Sequence, residues 1–376
     1  MITPGIRTGF LFTASLMLLV VTGCDPQPQE HPYNPTSDSL RYEGEVHIRN
    51  VKQLTFGGNN AEAYWSFDDE HLVFQSDWAE INGQGCDQIY IMDPETVGTG
   101  GSSDYQLAST GLGRTTCSFF MPGNEKVIYG STHESSRECP PPVMFGQGRY
   151  VWPIYEAYDI YIANTDGSEV ELFIGGSGYD AEATVSPDGK YIVFTSTRSG
   201  DLELWRYDMK SGDLLQLTDE LGYDGGAFFS RDSQQIVWRA SRPTGEHAEV
   251  YKSLLQDNLV EPSELNIFVA DIDGSNVRQV TNLPGANWAP FFHPDGDRIL
   301  FTSNHNSLSE GGRLFAVFMI GTDGEGLTQI THSGRFDAFP MFSYDGTRLV
   351  FSSNRNGSRT DSDDTNVFIA DWVESP

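Results

Sequence analysis

The sequence predicts an all-β protein, a six-bladed β-propeller of four-stranded blades. Three observations predict it. A large residue is followed nine positions later by an aromatic one six times: Trp65 and Phe74, Phe120 and Tyr129, Val185 and Phe194, Phe229 and Trp238, Phe292 and Phe301, Phe342 and Phe351. Successive copies lie 44 to 65 residues apart, although the offset of nine never changes. Constant local spacing with variable separation is what a rigid hairpin with insertions of different length produces. Finally, the last copy ends after three strands, while a spare one, VHIRNVKQLT (residues 46–55), precedes the first copy. Pairing the two closes the ring and hides the edges that separate sheets would expose.

Taken in order, the chain opens with Arg7 and an apolar run from Phe10 to Val21. The run is too short to span a bilayer and suits a signal peptide. It ends in VTGC, and small residues before Cys24 resemble a bacterial lipoprotein box. Residues 1–23 are therefore expected to be a lipoprotein signal peptide and Cys24 the lipidated residue. Residues 24–45 read as a tether, because DPQPQEHPYNPTSDS is rich in proline and polar residues and lacks apolar periodicity. Residues 46–376 form the propeller. The expected location is the cell envelope on its periplasmic side, lipid-anchored, with the membrane left open.

Each copy carries four apolar runs of strand length. In the third these are AEATVS, YIVFTS, LELWRYD and LLQLT, with SPDG after the first and MKSGD after the third. DIDG (271–274) and GTDG (321–324) serve as the latter turn in their own copies. Asp-Gly suits tight turns, because glycine accepts a positive φ. These turns lack the remaining ligands of a calcium hand and read as β-turns.

Stretches such as VSPDGKYIVFTSTR and HPDGDRILFTSNH, followed by IFVADIDGSNVRQVT, resemble the propeller repeats of the TolB family. The resemblance covers residues 46–373. It implies the fold; related propellers serve as binding scaffolds, as parts of peptidases and as polysaccharide lyases. The separate N-terminal domain that precedes the propeller in TolB has no counterpart among these residues, so the resemblance does not carry a literal TolB role.

The net charge of −30, with five lysines, excludes binding driven by attraction to nucleic acid or anionic lipid. It fits solubility by self-repulsion or a saline habitat. Besides Cys24 there are Cys86, Cys117 and Cys139; an exported chain would join two and leave one, in a pairing that stays open.

Function is expected on the face carrying the b–c and d–a connections, where insertion lengths vary. The second blade inserts HESSRECPPPVMFGQGRYVWPIYEAY, and the fourth PTGEHAEVYKSLLQDNLVEPSE, with a short helix showing Val250, Leu254 and Leu255 on one side. Four residues beyond each strand-b aromatic come Trp78, His133, Arg198, Arg242, His305 and Arg355. Just before strand a come Asn60, Thr115, Asp180, Asp224, Asn287 and Asp337, and two residues later Glu62, Cys117, Glu182, Gly226, Ala289 and Phe339. Tyr179, Tyr223, Trp288 and Phe336 flank them.

One reading places these columns around the channel mouth, as a pocket for a sugar acid, a peptide terminus or another small polar ligand, with arginine as the fork for a carboxylate. The other pairs Arg198, Arg242 and Arg355 with Asp180, Asp224 and Asp337 to pin neighbouring blades. No cofactor is called for. A metal held by His133, His305, Glu62, Glu182 and Cys117 at the mouth is the alternative, without supporting HxxxH or HxxE spacing. No GxSxG elbow or P-loop occurs.

The expected function is a non-enzymatic binding module for an envelope protein or a small polar or saccharide ligand, with a monomeric body. The alternative is a metal-assisted uronate lyase on the same face, with Arg198, Arg242 and Arg355 on the sugar carboxylates and His133 or His305 as base or ligand.

Overall fold

The computed structural model describes residues 38–97, 102–356 and 363–374. The expected signal segment, Cys24 and most of the tether lie outside them. Six four-stranded antiparallel sheets are present among the described residues. The innermost strands a are Asn60–Trp65, Thr115–Phe120, Asp180–Val185, Asp224–Phe229, Asn287–Phe292 and Asp337–Phe342. Each touches the strand a of both neighbouring blades, and the sixth touches the first. The ring is closed. It is a six-bladed β-propeller.

Strands b are Leu72–Ser76, Lys126–Ser131, Tyr191–Ser196, Gln235–Ala240, Arg298–Ser303 and Arg348–Ser353. The strand-b aromatics that defined the repeat, from Phe74 to Phe351, are all fully buried. Burying one such side chain contributes roughly 1.5–3 kcal/mol. Four of the six a–b turns are closed by a Ser–Asp pair. Ser186 Oγ donates to Asp188 Oδ1 (2.8 Å), and Ser66–Asp68, Ser230–Asp232 and Ser343–Asp345 repeat this at 2.6 Å.

The sixth blade is completed from the N-terminal side. Ile48–Gln53 pairs antiparallel with Asn366–Trp372, as the spare strand required. The end of the expected tether differs from expectation. Residues 38–45 are docked, because Asp38 accepts the amides of Asn50 (2.7 Å) and Val51 (2.9 Å) and Glu45 is buried against Arg355 (3.0 Å).

Two long b–c insertions meet over the mouth. In the second blade a two-residue hairpin pairs Phe145–Gly146 with Arg149–Tyr150. Trp152–Pro153 then pairs with Leu259–Val260 of the fourth blade's insertion. The fourth insertion also carries the helix Gly245–Gln256, whose buried side is Ala248, Tyr251 and Leu254. Tyr251, not Val250, faces inward because its hydroxyl reaches Asp201. A Cys86–Cys139 disulfide ties the insertions of the first two blades together, leaving Cys117 free.

Candidate functional site

All six strands a break register at the same place. Pairing with strand b skips between Ala61 and Tyr64, and at the matching positions of the other five blades. The third residue of each strand has a positive φ: Glu62 (53°), Cys117 (47°), Glu182 (59°), Gly226 (60°), Ala289 (48°) and Phe339 (55°). Such a bulge turns one extra residue out of the ladder. For the non-glycine residues this backbone costs roughly 1–3 kcal/mol each and persists where the surroundings over-determine it. The sixfold repetition makes a ring of six inward residues.

Two positions further, Tyr64, Phe119, Phe228 and Phe291 meet across the axis. Ring centroids lie 5.2 Å apart for Tyr64–Phe228 and 5.3 Å for Phe228–Phe291. This aromatic plug underlies the bulge ring. Above it lies a cavity of about 1170 Å³, roofed by Trp152, Ile154, Tyr155 and Tyr158 of the second blade's insertion. Trp152 stands edge-on to Trp288, at 5.9 Å and 71°. Met144, Phe145 and Tyr150 also line it and are 61%, 67% and 53% exposed.

One wall is ionic. Glu182 accepts from Thr195 Oγ1 (2.6 Å), Tyr223 Oη (2.9 Å) and the amide of Gly226 (2.9 Å), and it pairs with Arg239. Burial pushes its carboxyl up, but Arg239 and these bonds outweigh that and hold it below the usual glutamate value. A Cβ at Gly226 would collide with the Arg239 guanidinium and force it to shift. Glu62 behaves differently. Burial raises it to about 7, against a hydrogen bond from the Cys117 thiol, and Glu182 raises it further. The same burial pushes the Cys117 thiol well up, so it is no activated nucleophile.

Of the residues expected at the mouth, the whole bulge column, Glu62, Cys117, Glu182, Gly226, Ala289 and Phe339, lines the cavity, together with Thr115, Tyr179, Tyr223, Trp288 and Phe336. Trp78, His133, Arg198, Arg242, His305 and Arg355 do not; each lies over its own blade. Arg198 Nη2 donates to Asp180 (2.7 Å) and stacks on Phe194 and Trp205. Arg242 clasps Asp224 with two bonds of 2.8 Å. Arg355 bonds Asp337 (3.2 Å). These pairs join strand a to the end of strand b within one blade, and so do not pin neighbouring blades. His133 and His305 bond Ser131 (2.9 Å) and Ser303 (2.8 Å) and cover Tyr161 and Phe318. Burial lowers both imidazoles below their ordinary value. Trp78 meets Tyr105 edge-on. The metal set therefore divides: Glu62, Cys117 and Glu182 share the ring, and the histidines stand off it.

Arg239 escaped the sequence reading. Its signal was a charged residue in the apolar strand QIVWRA, where other blades have Gln75, Gly130, Thr195, Thr302 and Ser352. Trp152 also escaped it, since a roof needs the pairing of two distant insertions.

Residues 259–360 match the sequence profile of the TolB beta propeller domain. An uncharacterised protein of Agrobacterium fabrum is 28% identical over 151 residues, 39% of this chain and 47% of that protein. The Tol-Pal system protein TolB of Helicobacter hepaticus is 24% identical over 157 residues, 42% of this chain and 32% of that protein. The match thus spans less than half the length of either curated relative. A solved TolB candidate from Agrobacterium tumefaciens shares the fold, with a TM-score of 0.53 at 17% identity over 84% of this chain and 91% of that one. Repeat, closed ring and matches agree on a β-propeller that is similar to the TolB propeller domain.

Proposed function

We propose that this protein is an envelope-anchored propeller that binds a small ligand in the roofed pocket above the aromatic plug. The observation that carries the reading is the cavity itself: about 1170 Å³, blocked below by Tyr64 and Phe228 and covered by Trp152. Concave, largely aromatic sites with a few convergent polar groups are where small ligands bind. A lyase using His133 or His305 as base draws no support from this geometry, since neither histidine lines the pocket.

Ala289 offers a direct test. Phe339 holds an aromatic side chain in the same backbone conformation one blade on, so Ala289→Phe fills the pocket without new backbone strain. Nile red, a neutral apolar dye, should bind the wild-type protein with enhanced fluorescence and lose at least about tenfold in affinity in the variant. Equal binding by a folded Ala289→Phe protein would remove the pocket as the site.

The anchoring half of the proposal rests on Arg7, the apolar run Phe10–Val21 and Cys24. The Cys86–Cys139 disulfide supports an oxidising compartment. The Helicobacter hepaticus relative is named for the Tol-Pal system, which supports an envelope setting and, as a second occupant of the insert-rich face, a protein partner. Cys24→Ser should move the protein from the membrane to the soluble fraction of cells. Unchanged membrane fractionation, with no lipid on Cys24 by mass spectrometry, would contradict anchoring through this residue.

A further inference from the structure

A pocket selects by what its walls leave unpaired. Two carboxylates of the wall already have guanidinium partners: Glu182 takes Arg239, and Asp87 takes Arg114 at 3.0 Å. Glu62 sits beside Cys117 in the bulge ring, and among the described residues no basic side chain bonds to it. It is half-buried, and it lines the pocket. Its other neighbour in the bulge ring is Phe339, which meets Trp288 edge-on at 4.8 Å and 85°. Phe336 and Phe315 extend the same aromatic group.

Resting on the reading of the pocket as a ligand site, we propose that its ligand is an amphipathic organic cation, with an ammonium group on Glu62 and an apolar or aromatic body against Trp288 and Phe339. An ammonium supplies both the missing charge and three donors. Aromatic faces attract a cation further. An anion at Glu62 would also meet Glu182, whose arginine is already engaged; the remaining arginine of the lining, Arg313, is exposed and carries no carboxylate partner among the described residues. Small residues at Gly226 and Ala289 leave room across the axis for the body of the ligand.

Proton uptake should report the contact. The groups facing Glu62 are Tyr64 on its own strand, Cys117, Glu182 and Arg239 from the next three blades, and Asp87 from the first blade's insertion. Tyr64 and Cys117 are pushed well up, Glu182 is held down and Arg239 stays charged. Glu62 alone is carried to about 7. The empty pocket therefore holds a proton that the filled one gives up. Affinity should rise with pH up to about 7 and then level.

The test is calorimetric titration of the whole protein with 2-phenylethylammonium, neutral 2-phenylethanol and anionic phenylacetate. The amine should bind best, lose about tenfold or more in Glu62→Gln, and lose its pH dependence there. 2-Phenylethanol should bind wild type and variant alike. If all three bind equally, or Glu62→Gln leaves the amine unchanged, the cation assignment falls and the pocket stands. If no probe binds and Nile red does not bind either, both fall. An unchanged unfolding midpoint for Glu62→Gln confirms that the comparison is between folded proteins.

Discussion

Arg355→Ala should cost about 3–5 kcal/mol of stability, among the largest losses available to a single substitution in this chain. The Arg355 side chain is 0% exposed. It bonds Glu45 at 3.0 Å and Asp337 at 3.2 Å, and both carboxylates are fully buried. Removing the guanidinium leaves two negative charges in the interior with no cation between them. Arg355 Nη1 also donates to the Leu40 carbonyl (3.2 Å), and Tyr42 Oη donates to the Arg355 carbonyl (2.8 Å). The same residue thus holds the segment leading into the strand that completes the sixth blade. Urea unfolding should show the loss, and limited proteolysis should open new cleavage between residues 38 and 47. A deficit under about 1 kcal/mol, the range of an exposed pair, would contradict this role.

Arg239→Met should be comparably damaging, at about 3–5 kcal/mol, and should also deform the pocket. It leaves Glu182 buried with three donors and no cation. Pairing it with Glu182→Gln should recover much of the loss, and the double-mutant cycle measures the coupling. Gly226→Ala should mimic the arginine variant from the other side, because its methyl group would occupy the position of Arg239 Nη1. The wild-type pair also sets an acid limit. The Glu182 carboxyl is depressed, so its contribution is present above the ordinary glutamate range and is lost as pH falls through the lowered value. Additive effects of Arg239→Met and Glu182→Gln would show that the two are not coupled.

The blades were legible because their signal is local. An aromatic nine residues past each inner strand can be counted along the chain, and the spare strand at 46–55 revealed the closure. The bulge ring was half legible. Its six positions stood out as a column, but only Gly226 advertises a positive φ; glutamate, cysteine, alanine and phenylalanine do not. The arginine and histidine column was found in the right residues and given the wrong direction. Those side chains follow strand b by two residues, which places them over the sheet between strands b and c, on Phe194, Phe268 and Phe351. Arg239 and Trp152 depend on contacts between blades, and the Cys86–Cys139 pair on two insertions that lie side by side. No local pattern records such contacts.

The central claim is that the ring of Glu62, Cys117, Glu182, Gly226, Ala289 and Phe339 is the floor of a ligand site. Crystals soaked with 4-bromophenethylammonium test it most directly, through the anomalous signal of bromine. The account predicts one peak inside the cavity, against Trp288 and Phe339, with the ammonium group on Glu62. Bromine found only outside the cavity, away from Glu62, Trp288 and Phe339, would contradict it.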